Sequence, residues 1–285
     1  MPARDAYGDV PVRPNALQMW WNARRDNHLY GSSVMNEGLQ KRQKIERDYH
    51  NAKYEVGGDS ETDAHESAAY AFFNGLIEQL ETGTILDFGC GDGWLSIRLA
   101  KKGHQAYGID ISRVLVEKAT KWAYEQGLAE RAHFEEMAGE NLRFPENFFD
   151  AIIGSAILHH TEFEMSVEGL YRVLKRGGKG LFIEPMNQNL LLKLWRLLTP
   201  WRRSPAEKAL SMSDIATVSR IFPKARLHYF TFSSIFSEGL LIFFPKSRFV
   251  RAINRALERL DRFVLARFPR LGSSCAVVVM ELVKD

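Results

Sequence analysis

The apolar positions of the chain switch period twice. ESAAYAFFNGLIEQL (Glu66 to Leu80) repeats at helical spacing, with Ala69, Phe72, Phe73, Leu76, Ile77 and Leu80 on one face. Short apolar runs bounded by turn residues follow. TILDFG predicts a first buried strand, and Trp94 to Lys102 a helix that stops at Gly103. QAYGID predicts a second strand. Ser112 is placed to cap a helix that runs to about Gln126 and stops at Gly127. Ala132 to Glu136 and Phe148 to Ser155 predict strands three and four. Glu162 to Leu174 predicts a helix, Arg176-Gly177-Gly178 a turn, and Lys179 to Pro185 a fifth strand. Strands alternating with helices at this spacing predict an α/β fold with a doubly wound, mostly parallel sheet.

On either side the alternation is lost. Met1 to Asn15 predicts a loose tail rich in proline and charge. Leu17 to Leu80 predicts helices, interrupted by a loop at Gly57-Gly58-Asp59-Ser60. After Pro185, LLLKLWRLLTPWRR predicts a short helix closed by Pro200. Ser213 is placed to cap another, which ends before Phe222-Pro223. Ala225 to Phe232 and Ser274 to Val283 predict two last strands. The organisation expected is therefore tail and cap helices over 1–65, a nucleotide-binding core over 66–185, and helical cap insertions with the last strands over 186–285.

Composition narrows this picture only a little. The chain has 285 residues, enough for a substantial core, and a net charge of +3 that does not by itself imply nucleic acid. The two cysteines, Cys90 and Cys275, make neither a disulfide framework nor a metal-ligand pattern, so a reduced cytoplasmic setting and no metal are expected. The first residues carry no apolar core that would make a signal peptide, and no apolar run approaches the ~20 residues of a membrane span.

The first strand ends in Gly89-Cys90-Gly91-Asp92-Gly93. Glycines between a strand and a helix permit a sharp turn and let a ligand lie against the main chain. The free N–H groups of the helix that follows point at the same place. This is nucleotide-site logic. The spacing is G-x-G-x-G, neither the dinucleotide G-x-G-x-x-G nor a P-loop. Asp87, inside the strand, suits a cationic amine better than a pyrophosphate. Asp110 ends the second strand about 20 residues beyond the turn. There it can accept hydrogen bonds from both ribose hydroxyls, or serve only as a helix-capping acid.

D-F-G-C-G-D-G (Asp87 to Gly93) resembles the D-x-G-C-G-x-G hallmark of class I S-adenosylmethionine-dependent methyltransferases, of the type 11-like kind. NLRFPENFFDAIIGSAILHH (Asn141 to His160) and LYRVLKRGGKGLFIEP (Leu170 to Pro185) resemble that family's later segments, so the resemblance covers about Glu66 to Pro185. It implies a Rossmann-like sheet whose last strands form an antiparallel pair, with S-adenosylmethionine as cofactor. By the same resemblance, Asp87 would lie near the cofactor's amino end, with Gly89 and Gly91 under its methionine part and ribose. Asp110 would hold the ribose and Ile111 would pack on the adenine. Gly139 and Glu140 would reach the adenine amino group, and Ser155 and Ala156 would sit beside the transferred methyl. Ala138 departs from the pattern, since many relatives carry an acid there. Cys90 is expected as a small residue that fits the turn.

A sulfonium methyl is already electrophilic, so the protein's task is to place a nucleophile and, for a hydroxyl acceptor, a base. His159 and His160 follow the fourth strand and are the candidates, against the alternative of structural support for the sheet edge. His50 is a second candidate, with a surface histidine as the plainer expectation. Glu184 could face the pocket or only hold a nearby loop.

The most individual feature is the insertion of about 40 residues between Phe232 and Ser274. Lys246 to Arg270 predicts a basic amphipathic helix. Phe249, Ile253, Ala256, Leu257, Leu260, Phe263 and Val264 lie on one face, opposite Arg248, Arg251, Arg255, Arg259 and Arg262. The plain expectation is that its apolar face covers the sheet. The alternative is contact with a membrane surface, supported by GLLIFFP (Gly239 to Pro245) and the apolar Leu190 to Leu198; these segments could also wall an apolar pocket or meet in a dimer. The function expected is methyl transfer from S-adenosylmethionine to a small-molecule or lipid-like acceptor. The alternatives are a methyltransferase-like binding module at a membrane and, behind it, an RNA methyltransferase. No RNA-binding module accompanies the basic residues.

Overall fold

The computed structural model describes residues 37–55, 67–198, 208–244 and 246–285. The expectations for Met1 to Asn15, for helices over 17–36, for the Gly57-Gly58-Asp59-Ser60 loop and for the Pro200 stop fall outside the described residues.

Seven strands form one sheet: β1 (Thr84–Phe88), β2 (Gln105–Asp110), β3 (Ala132–Glu136), β4 (Phe149–Ser155), β5 (Leu174–Pro185), β6 (Arg226–Phe230) and β7 (Val277–Val283). Their order is β3-β2-β1-β4-β5-β7-β6. The first five run parallel, and β7 is antiparallel to both β5 and β6. Successive crossovers thus wind outward from β1 in both directions. The switch in direction lies between β1 and β4, where such sheets open a crevice at the carboxyl ends of their strands.

The sequence explains why β1 sits at the centre. Every residue of TILDF is buried, including Asp87. Strands buried on both faces read as continuous apolar runs, because helices cover both sides of a parallel sheet. Ala69, Phe73 and Ile77 of α2 (Ala68–Glu78) pack on one side with Ile85, Ile153 and Val279. On the other side Leu86, Phe149, Ile152 and Phe182 meet Val167 and Leu170 of α5 (Phe163–Val173). At ~25 cal/mol per Å² of apolar surface, each fully buried large side chain here contributes about 1.5–3 kcal/mol.

The remaining helices are α1 (Glu37–Glu55), α3 (Trp94–Lys101), α4 (Arg113–Glu125), α6 (Leu190–Leu198), α7 (Met212–Ile221), α8 (Ile235–Phe243) and α9 (Arg248–Arg267). Ser112 caps α4 as expected, its Oγ accepting the Leu115 N–H. α7 corrects the sequence: Ser211, not Ser213, is its cap. Ser211 and Asp214 form a reciprocal capping box. The S-x-x-D signature satisfies two free N–H groups where Ser213 could satisfy only one.

α9 corrects the sequence more deeply. Its inward residues are Val250, Asn254 and Asp261, whereas Phe249, Leu260 and Phe263 are exposed. The apolar face does not cover the sheet. A polar seam anchors the helix instead. Asp261 accepts hydrogen bonds from the Phe232, Ser233 and Ser234 amides at 3.0, 2.9 and 3.0 Å and from Ser233 Oγ at 2.6 Å. It thereby ties down the 232–234 segment that leads into α8.

Candidate active site

A cleft of about 720 Å³ opens at the carboxyl ends of β1, β2 and β4. Its floor is the glycine turn. The amides of Gly89 and Cys90 both donate to the Ile109 carbonyl, at 2.9 and 2.8 Å, which ties the turn to β2. Gly89 adopts φ +78° and Gly91 φ +54°, where side chains are disfavoured. The two glycines then differ. A Cβ on Gly89 would collide with Ile157, so packing excludes it. A Cβ on Gly91 would meet no atom within 4 Å, and Gly91 lines the cleft, so the space it leaves is open to a ligand.

Asp110 closes the turn. Its Oδ2 accepts the Gly91 N–H at 3.0 Å and its Oδ1 the Ser112 N–H at 2.8 Å. A carboxylate offers about four lone-pair positions, so each oxygen keeps acceptor capacity toward the cleft. Burial pushes the Asp110 carboxyl up, while the two amides and the nearby His50 and His160 oppose that shift. Asp87 is buried at the end of β1 and accepts a 2.6 Å hydrogen bond from Ser96 Oγ. Burial raises its pKa to about 7, so a cation placed beside it would favour the ionised form. Burial also pushes the Cys90 thiol well up, which keeps it protonated and removes it as a nucleophile.

The opposite wall was only partly legible. Helix α1 lays Gln43, Glu46 and His50 on the cleft, one face at steps of three and four. Glu46 is buried, and its Oε2 lies 3.0 Å from His160 Nδ1 and 3.6 Å from His50 Nε2. The ligand atoms of these three residues lie within 4.8 Å of one another, close enough to share a proton or to hold a divalent cation. His50, for which a surface position was the plain expectation, is half-buried on the cleft wall. Tyr70 was read only as part of a helix. Its hydroxyl faces Ser155 Oγ at 3.2 Å inside the cleft. Glu140 lines the cleft and is held by Gln43 Nε2 at 3.0 Å and by the Glu162 amide at 2.8 Å. Ile111, Gly139 and Ala156 also line it, and Ala156 takes φ +52°, strained for a residue with a side chain.

The histidine pair divides. His160 lines the cleft, whereas His159 is buried away from it with Nδ1 2.7 Å from Glu184 Oε2. Glu184 does not face the cleft. Its Oε1 accepts the Ile157 and Leu158 amides at 2.9 and 2.8 Å, so it holds the turn that carries both histidines. The helices after Pro185, expected to cap the pocket, contribute none of its described walls, which run from Gln43 to Thr161. Among the described residues, none of 190–198 or 239–244 lines the cleft, so the alternative of an apolar pocket wall from these segments finds no support there. α8 packs against both α6 and α9, and α9 meets β6 at the outer edge of the sheet.

A glycine cradle, a ribose-competent acid and a buried acid suited to a cation thus stand together at the switch point of this Rossmann-like sheet. The comparisons with known proteins agree. Residues 85–178 match the methyltransferase domain family. That segment is similar to class I S-adenosylmethionine-dependent methyltransferases, and the residues above fit S-adenosylmethionine as the group the cleft would hold. The chain is 36% identical over 104 residues to the ubiquinone/menaquinone biosynthesis C-methyltransferase UbiE of Bradyrhizobium sp., covering 35% of this chain and 41% of that one. It is 32% identical over 96 residues to the sterol 24-C-methyltransferase ERG6A of Gibberella zeae, covering 33% and 25%. The chain thus spans less than half the length of these curated relatives. Among solved structures, geranyl diphosphate C-methyltransferase of Streptomyces coelicolor A3(2), determined with Mg2+, geranyl diphosphate and S-adenosyl-L-homocysteine, shares the fold. The TM-score is 0.58 at 14% identity, over 86% of this chain and 98% of that one.

Proposed function

We propose that this chain transfers a methyl group from S-adenosylmethionine to a small apolar, lipid-like acceptor. The observation that carries the proposal is the cleft itself: a glycine and carboxylate floor faces a wall bearing His160, Tyr70 and Ser155. When bound, the cofactor supplies an electrophilic methyl and the hard part of the chemistry. The chain's residues do the rest. Asp110 accepts from ribose hydroxyls, Ile111 and Gly139 flank the adenine, and Asp87, ionised by a cationic neighbour, holds the amino end. His160 takes a proton from the acceptor. Glu46 orients its ring through Nδ1, leaving Nε2 as the basic atom. His159 and Glu184 position that turn and take no part in proton transfer.

The apolar nature of the acceptor is supported from two sides. Relatives carry names of enzymes acting on quinones and sterols, and a neighbour of similar fold acts on an isoprenoid diphosphate. The described chain also exposes large apolar side chains on its C-terminal helices, consistent with a protein that works at a membrane surface. No helix among the described residues is long and apolar enough to cross a membrane.

The test is to incubate the full chain with methyl-labelled S-adenosylmethionine and a cell extract, then separate organic, aqueous and RNA fractions. Label in the organic phase, lost in His160→Gln, is expected. Label confined to water-soluble metabolites contradicts the lipid-like acceptor. Label in RNA contradicts the small-molecule reading altogether.

A further inference from the structure

We propose that the face built by α6, α8 and α9 docks on an anionic lipid bilayer, a surface role that goes beyond methyl transfer and stands on residues outside the cleft. α8 packs against both α6 and α9, so the three helices adjoin. On α6, Leu190, Leu194 and Leu197 recur at helical spacing and all point outward, with Leu190 77% and Leu197 76% exposed. On α9, Phe249, Leu260 and Phe263 do the same, with Phe249 74% and Phe263 72% exposed. Scattered apolar residues at a surface mean nothing, but aligned stripes on adjoining helices mark an interaction site.

The charge beside the stripe says what covers it. α9 has three sides. One is the buried polar seam of Asn254 and Asp261, the second the apolar stripe, and the third carries Arg248, Arg255, Arg259 and Arg262. Both acids of this helix are turned to internal partners. Asp261 is held by the 232–234 loop, and Glu258 accepts from the Ala68 amide at 3.1 Å and from Asn254 Nδ2 at 3.1 Å. The outward charge of α9 is therefore all positive. Among the described residues, Arg255, Arg259 and Arg262 form no ion pair with a carboxylate. An apolar stripe flanked by unopposed arginines suits acyl chains below anionic headgroups. A second copy of the same face would bring arginine against arginine.

The experiment is cosedimentation of the full chain with phosphatidylcholine vesicles, with and without phosphatidylglycerol. Binding to the anionic vesicles that weakens as salt rises is expected. F249S/F263S, at exposed positions, is expected to weaken partition at least about tenfold. R255S/R259S/R262S should bind anionic vesicles no better than neutral ones. Titration with S-adenosylmethionine, run on every variant, should be unchanged. This separates failure of the surface from failure of the cleft. Absence of vesicle binding by the wild type, or equal binding by F249S/F263S, overturns the proposal. So does a dimer that F249S/F263S dissociates while vesicles bind neither form.

Discussion

Asp87 shows how much chemistry one buried carboxyl can hold. Its pKa of about 7 in the folded chain lies above the ordinary 3.8, with burial as the main cause. Between those values the folded chain binds a proton that the unfolded chain has lost. Linkage then makes stability fall as pH rises from about 4 to about 7, with no further loss from this group above that range. Asp87→Asn should remove the slope and raise the melting temperature at pH 8. The same substitution should weaken S-adenosylmethionine at least tenfold, because a charge-assisted contact to a cation is worth about 1.5–3 kcal/mol. Wild-type affinity should rise with pH up to about 7, and the variant's should stay flat. A variant that binds as tightly as the wild type at pH 8 would remove Asp87 from the cofactor's amino end. The histidine pair makes a second contrast. His160→Gln should lower kcat about a hundredfold while leaving cofactor affinity intact. His159→Gln should lower stability by about 1–3 kcal/mol, since it leaves Glu184 short of a partner in a buried site. Sequence alone could not part these neighbours. Adjacent residues on a single helical turn point in different directions, and only the packing of β5 beneath the turn shows which one looks inward.

Helices and strands differed in how openly they announced themselves. β1, β2 and β4 are buried runs punctuated by glycine, and α4 carries its serine cap in plain view. These were legible because burial on both faces and a free N–H at a helix start leave local marks. α9 was legible as a helix but not in orientation. Periodicity identifies an apolar face without saying what covers it. The deciding interactions are Asp261 with the 232–234 amides, 27 to 29 residues away, and no local pattern encodes them. Asp261→Ala should therefore destabilise the chain by about 3 kcal/mol, since it strands three amides in the segment that leads into α8. Thermal unfolding would show this as a lowered midpoint with vesicle binding also impaired. A silent substitution would mean that another group carries the seam. α1 was the reverse case. Its Glu46 and His50 belong to no motif, yet one face at steps of three and four delivers both to the cleft.

The whole molecule separates its tasks by region. The sheet's central strands hold the glycine and carboxylate floor of the cleft, α1 forms part of its wall, and the described residues after Pro185 add two strands and an outward-facing helical layer. The sequence identified the first region because glycine turns and strand-end acids are tied to a chemistry that tolerates few alternatives. It left the acceptor unread, because the cleft wall that α1 and Tyr70 contribute is joined to the glycine turn only by folding. The central claim is that the floor made by Gly89, Gly91 and Asp110 binds S-adenosylmethionine. Calorimetric titration of S-adenosylmethionine into the full chain and into Asp110→Ala tests it most directly. One molecule bound per chain, with affinity lost at least tenfold in the variant, is the predicted result. No heat of binding in the wild type, or equal affinity in the two proteins, would contradict it.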